Sequence, residues 1–204
     1  NPRGSGGYGD KFKKANFKDW GNGPASDILS ALEDASSKHP WIDKDQLVVE
    51  GGSYAGYMVA WLVGHDNRFK AANAQRGVYD LTTFLGEGNA WSLVPNDFGG
   101  FPWDKEIRPL LDSESPYTYV DKINTPLLII HGDQDLRTGV IQSEMLYKSL
   151  KIMNKPVEYI RYPKEGHELT RSGNPGRMMD HMLRVIEFFE RYVKHPEPPP
   201  ATLK

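Results

Sequence analysis

The stretch "LVVEGGSYAGYM", Leu47 to Met58, sets a serine among glycines directly after a β-branched run and then continues into small and apolar residues. A strand that turns sharply into a helix has this pattern, with "DQLVVE" (45–50) as the strand and "AGYMVAWLVG" (55–64) as the helix. On such a turn Ser53 would be forced into strained backbone angles, and only very small residues fit two places before and after it. Gly51 meets that demand, and Ala55 stands where glycine is usual, one methyl group larger. Two readings are open at this point. In one the turn is a nucleophile elbow that presents the Ser53 hydroxyl; in the other a glycine-serine turn merely joins a strand to a helix.

Outward from this turn, apolar runs alternate with amphipathic ones. "RFKAANAQ" (68–75), "TPLLIIHG" (125–132) and "PVEYIRYP" (156–163) read as further strands, the second of these apolar enough to be buried on both faces. "SDILSALEDASSKH" (26–39) reads as a helix with Ser26 as N-cap and with Ile28, Leu29, Leu32 and Ala35 on one stripe. "VIQSEMLYKSLKIM" (140–153) and "GRMMDHMLRVIEFFERYV" (176–193) repeat the helical pattern. Strand and helix in alternation predict an α/β fold, a mostly parallel sheet covered on both faces. The segment 194–204, "KHPEPPPATLK", cannot hold a helix and reads as an extended tail.

The 204 residues are 38% hydrophobic and 25% charged, enough for one substantial core. A net charge of −2 gives no broad attraction to nucleic acid or to an anionic membrane surface. No run of apolar residues is long enough to span a bilayer. The absence of cysteine removes disulfides, thiolate metal sites and a thiol nucleophile, and leaves the compartment open between cytoplasmic and secreted or periplasmic. The beginning, "NPRGSGGYGDKF", is neither a signal peptide nor a start methionine and reads like the middle of a domain.

In a parallel sheet, chemistry collects at the carboxyl ends of the strands. A serine hydroxyl is a weak nucleophile at neutral pH and needs a base, itself oriented by an acid. Hydrolases of the α/β type supply them in the order Ser, Asp or Glu, His. "LLIIHGDQD" places Asp133 and Asp135 just past one strand, and "VEYIRYPKEGH" places His167 just past the next. Either aspartate satisfies the order.

"NPRGSGGYG", "DWG", "GGSYAGYM", "RFKAANAQRG", "FGGFPW", "SPYTYV", "TPLLIIHGDQD" and "EGHEL" together resemble the catalytic domain of the prolyl oligopeptidase family of serine peptidases, most of all its acylaminoacyl-peptidase branch. The resemblance runs in colinear order over about residues 1–193. It implies an α/β-hydrolase fold with Ser53 as nucleophile, His167 as base and then acid, and Asp135 rather than Asp133 as the orienting acid. It implies no cofactor and no metal. The backbone N–H of Tyr54 would give one oxyanion donor. The other would lie on a loop upstream of Asn1, together with N-terminal strands and a β-propeller that this chain does not contain. By the same resemblance Val78, Leu81 and Phe84 with the Tyr54 ring would form an apolar pocket for a substrate side chain. Arg137 would hold a substrate carbonyl or carboxylate.

The expected function is therefore hydrolysis of short peptides of acylaminoacyl, dipeptidyl or oligopeptidase type. A carboxylester hydrolase and a catalytically inactive interaction domain are the alternatives, and self-association stays open. Other suggestive residues have plainer explanations. His131, Asp133 and Asp135 alternate like metal ligands but are explained by a turn after a strand; "GSGGYG" is a tight backbone turn and "KFKK" a solvated face. His39, His65, His181 and His195 fall at helix ends or in the tail, in structural or exposed positions.

Overall fold

Four strands form one sheet: β1 (Val48–Gly52), β2 (Ala71–Gln75), β3 (Leu127–Gly132) and β4 (Val157–Tyr162). Each pairs in parallel with the next, in the order β1-β2-β3-β4. This computed structural model describes residues 1–193. The tail expected over 194–204, and His195 with it, lies outside the described residues.

Side chains alternate across the strands and so divide the core in two. Ala72, Ala74, Leu127 and Ile129 face one layer, built on α2 (Asn22–Lys38), α3 (Tyr54–His65) and α7 (Val140–Ile152). Ala71, Leu128 and Ile130 face the other, where α8 (Leu169–Ser172) and α9 (Pro175–Glu190) bring Leu169, Val185 and Phe188. β3 is buried along its whole length, as its apolar run predicts. α1 (Asp10–Lys13) buries nothing, in keeping with "KFKK" as a solvated face.

Several boundaries differ from the reading of the sequence, three of them around the turn and the first layer. β1 runs on through Gly51 and Gly52, so the turn begins directly at Ser53. β2 begins at Ala71, because Arg68 is held in the preceding corner by Asp66 and Glu33. The first long helix starts at Asn22, not after a Ser26 cap. Its cap is Asp19, whose carboxylate accepts from the Gly23 N–H at 2.9 and 3.1 Å, and Pro24 is tolerated because the first turn has no use for its missing N–H. His181 is also not at a helix end: it lies inside α9 and is buried.

Between β2 and β3 the chain makes short pieces only: α4 (Leu81–Phe84), α5 (Leu93–Phe98), α6 (Arg108–Ser113) and a 3₁₀ stretch, Pro116–Lys122. Gln142 of α7 straps the start of this region. Its Oε1 accepts from the N–H groups of Tyr79 and Asp80, at 2.7 and 2.9 Å, and its Nε2 donates to Thr83 Oγ. Glu114 ties the far end to the α2–α3 layer, accepting from the Gly21 N–H through its side chain and from the Tyr57 hydroxyl through its carbonyl. Among the described residues no helix is long and apolar enough to cross a membrane.

Gly21, at the start of α2, passes close to α3: a Cβ there would lie 2.4 Å from the indole ring of Trp61. That ring is fully packed, stacked on Tyr57 and His65. Gly21→Ala is therefore expected to cost about 1 to 3 kcal/mol of stability through overpacking, read as a fall in Tm. An unchanged Tm would show that the two helices are not locked at this point.

Candidate active site

Ser53 stands between β1 and α3 with φ 62° and ψ −124°, a region seldom occupied outside glycine. Two backbone bonds hold it there. Its N–H donates to the Gln75 carbonyl at 2.9 Å, and its own carbonyl accepts from the Tyr57 N–H at 3.0 Å, which starts the helix. Helix and sheet pass so closely that a Cβ on Gly51 would lie 2.6 Å from both the Cβ and the carbonyl oxygen of Ala55. A serine before a helix ordinarily turns its hydroxyl back to cap the first turn. Ser53 makes no such bond, and its Oγ lies 2.9 Å from Nε2 of His167.

His167 and Asp135 follow β4 and β3 on two loops that touch backbone to backbone. The Gln134 N–H donates to the Glu165 carbonyl at 2.8 Å, and Gly132 passes so near that a Cβ would be 2.4 Å from the same oxygen. The Glu165 carboxylate in turn accepts from Arg177, pinning the histidine loop to α9. Asp135 is 5% exposed, and its Oδ2 lies 2.7 Å from Nδ1 of His167. Its Oδ1 accepts from the N–H groups of Arg137 and Thr138, at 2.8 and 2.9 Å. Because a carboxylate only accepts, Nδ1 carries the hydrogen and Nε2 offers its lone pair to the Ser53 hydroxyl.

Burial alone would raise the Asp135 carboxyl. Hydrogen bonds from His131, His167 and the Thr138 N–H outweigh it and hold the group well below the usual carboxylate range. The ionised form therefore stabilises the fold above the ordinary range, and this contribution is lost as pH falls through the lowered value. Asp133 instead pairs with Arg161 at the surface, at 2.6 Å. Of the two aspartates, Asp135 is the one within hydrogen-bond distance of His167. It also explains why His131, Asp133 and Asp135 do not converge on an ion: the first and last point into the protein, the second out.

A match to the family model of the prolyl oligopeptidase family covers residues 1–196. The chain belongs to this family. It is 36% identical over 200 residues to a Bacillus subtilis (strain 168) protein named Uncharacterized peptidase YuxL, covering 95% of this chain and 29% of that one. It is 32% identical over 177 residues to Dipeptidyl-peptidase 5 of Porphyromonas gingivalis, covering 85% of this chain and 26% of that relative. The Pyrococcus horikoshii acylaminoacyl peptidase superposes with a TM-score of 0.90 at 30% identity, over 98% of this chain and 33% of that structure. The fold is accordingly the α/β-hydrolase fold, and the chain spans between a quarter and a third of the length of these relatives.

Of the remaining residues singled out in the sequence, Tyr54 begins α3, so its N–H has no acceptor within the helix. Its hydroxyl donates to the Trp20 carbonyl at 2.8 Å, and burial with nearby Asp19 and Glu114 raises its pKa well above the usual tyrosine range. Arg137 is exposed, and its contact with the site is through its backbone N–H. Val78, Leu81 and Phe84 need correcting as an open pocket: they are 4%, 0% and 0% exposed and pack into the core. The reason is local. Asp80 caps α4 through the Thr83 N–H, and the Gln142 strap turns the apolar side of that helix inward.

Nothing in the sequence analysis points to Thr138. Arg76, at φ 38°, is buried, with its guanidinium against Gly52 and donating to Thr170 Oγ at 3.0 Å. Its carbonyl accepts from the Thr138 hydroxyl at 3.0 Å. The Asp-x-x-Thr spacing was the visible signal for Thr138, since an aspartate side chain readily accepts from backbone N–H groups two and three residues on.

Gly51→Ala tests the elbow. The added methyl meets backbone, which cannot swing aside, so the turn must open and carry Ser53 Oγ away from His167. The expected result is a loss of hydrolytic rate of at least about tenfold with the protein still folded, since small misplacements of reacting groups are costly. Wild-type turnover in this variant would show that the close crossing does not set the serine's position.

Proposed function

We propose that this chain carries the nucleophile, base and acid of a serine peptidase that cuts short peptides through an acyl-enzyme. The observation that supports it most directly is the unbroken line Ser53 Oγ, His167, Asp135, with contacts of 2.9 and 2.7 Å. In this reading Ser53 Oγ attacks the substrate carbonyl while its proton passes to Nε2 of His167. The imidazolium so formed is stabilised by Asp135, and the new oxyanion by the Tyr54 N–H at the start of α3. Collapse breaks the C–N bond, and the leaving amine takes the proton from His167. Water, deprotonated by His167, then releases the acyl group and restores Ser53.

Relatives named dipeptidyl-peptidase and acylaminoacyl peptidase favour short peptides as substrates. Tyr54 and Arg137 are the side chains assigned to the substrate, with Val78, Leu81 and Phe84 as packing behind them. A second oxyanion donor is assigned to polypeptide outside this chain, as is a propeller that would restrict entry to short peptides. The surface suits such an addition. β1 has a neighbour on one side only among the described residues, and α9 exposes Met179, Met182, Leu183 and Ile186, each at least half exposed. A free strand edge beside an apolar helix stripe is a surface that wants covering.

In the protein that contains this chain, an organofluorophosphonate is expected to label Ser53 stoichiometrically, and Ser53→Ala to remove labelling and to lower peptide-anilide turnover by several orders of magnitude. Near-normal turnover in that variant would sink the mechanism. A wild-type rate confined to esters, with no anilide cleaved, would turn the assignment to a carboxylester hydrolase. Residues 1–204 expressed alone are expected to bind a hydrophobic dye and to turn over poorly. A cooperative, monomeric and fully active product would refute the covering of β1 and α9.

A further inference from the structure

His131 is the most deeply buried titratable side chain beside the triad, and the reaction as derived makes no use of it. It is 0% exposed, at the end of β3, and every polar atom of its ring is engaged. Nδ1 lies 2.7 Å from the Ser143 hydroxyl on α7. Nε2 lies 2.8 Å from the Thr138 carbonyl and 3.2 Å from Oδ2 of Asp135. A carbonyl oxygen can only accept, so Nε2 carries a hydrogen, which is directed to the Thr138 carbonyl with Asp135 Oδ2 beside it at 3.2 Å. Oδ2 is the same oxygen that receives the Nδ1 hydrogen of His167. Two imidazoles therefore lie against one carboxylate oxygen, one bonded to it and reaching Ser53, the other close by and anchored in α7.

We propose that His131 is a positioning residue for the hydrolytic reaction, its Nε2–H held by the Thr138 carbonyl beside Asp135 Oδ2 and so setting both the place and the basicity of the carboxylate that orients His167. This rests on the assignment of Ser53, His167 and Asp135 made above. The positive end of that N–H dipole beside Oδ2 draws charge from the bond to His167, so that Asp135 orients the imidazole without binding its proton too tightly. Removing the donor concentrates negative charge on Asp135 and favours the imidazolium, the form of His167 that cannot take the proton of Ser53. The sign follows: the acid limb of the kcat/KM profile moves to higher pH. Among the other charged groups near the pair, Arg76, Arg171 and Glu168 lie on the Thr170 side, Arg76 within electrostatic reach of Arg171, Glu168 and Asp135. The half-buried Glu87 faces His131 from the loop after α4. All four are unchanged in the variants below.

The variants separate position from fold. His131→Leu removes the donor, while His131→Gln keeps an N–H at the place of Nε2. Ser143→Ala leaves the donor but releases the ring from α7. Each is made in the protein that contains this chain, and active sites are counted by phosphonate labelling of Ser53. Per labelled site, His131→Leu is expected to lose about tenfold or more in kcat/KM, mostly in kcat, with its acid limb raised by on the order of half a pH unit. His131→Gln should return the limb to the wild-type position and most of the rate. Ser143→Ala should shift the limb in the same direction by less. A purely structural role predicts fewer labelled sites with an unmoved limb in all three, and that result overturns the proposal. If His131→Leu does not fold, a wild-type limb in Ser143→Ala overturns it equally. If Ser53 of the wild type is not labelled, the triad assignment fails first, and the two failures are told apart.

Discussion

The structure depends on how closely β1 and α3 pass at Ser53. With Gly51 against Ala55, and Gly56 so near the Gln75 carbonyl that a Cβ would lie 2.4 Å away, no ordinary turn fits between strand and helix. Ser53 takes up the difference with φ 62°. That strain has a chemical consequence, because a serine in normal N-cap geometry would spend its hydroxyl on the helix. Here the hydroxyl is turned away from the helix towards His167, while the free N–H groups of the first turn of α3 stay beside it. The Gln75 carbonyl that holds Ser53 is placed by register: Gly52 lies opposite Gln75 in the β1–β2 ladder.

The same register logic brings the other two side chains to this end of the sheet. Gln75 lies opposite Ile130, and Gly132 opposite Tyr162, so the loops after β3 and β4 leave the sheet level with each other. Their backbones then bond directly, through the Gln134 N–H and the Glu165 carbonyl. Asp135 and His167 are thus fixed by main chain before any side-chain bond is considered. The side-chain bonds add charge control. A carboxylate this buried would tend to protonate, and the N–H groups of His131, His167 and Thr138 favour its ionised form. The surface pair Asp133–Arg161, a few residues away and open to water, has no comparable leverage.

Much of this was legible in the residues, and the limits were physical. Apolar runs and periodicity showed the four strands and the long helices, because β2, β3 and α3 are buried almost throughout and α9 buries one stripe. Glycines at a strand end showed Ser53, because sterics demand them. Nothing periodic marks residues 76–126, whose short helices are set by distant partners such as Gln142 and Ser115, so the secondary structure of this region is not legible in the residues. Ser26 looked like a cap because local chemistry allows it, yet Asp19 reaches in from outside the helix and moves the start to Asn22. Phe84 and Leu81 looked like pocket lining, since apolar residues after a strand end suit either role; only their neighbours decide, and those lie in the Gln142 strap. His131 was read as part of a turn, because spacing cannot tell a metal ligand from a buried donor.

On the proposed mechanism the work of catalysis divides between two sources. Transfer of the Ser53 proton depends on contacts made wholly within the described residues: the elbow, the paired loops, Asp135 and its donors. Stabilising the charge on a tetrahedral intermediate depends on backbone donors around the carbonyl oxygen, and of these the chain offers the Tyr54 N–H. In a serine hydrolase the loss of one such donor typically lowers kcat by about 10²–10³-fold, although the nucleophile and base remain in place. Labelling by a reactive phosphonate, which tests the first, and turnover of an unactivated amide, which needs both, therefore report on different parts of the protein. A chain that labels well and turns over slowly would not contradict the triad; it would fit the proposed assignment of the second oxyanion donor to other polypeptide.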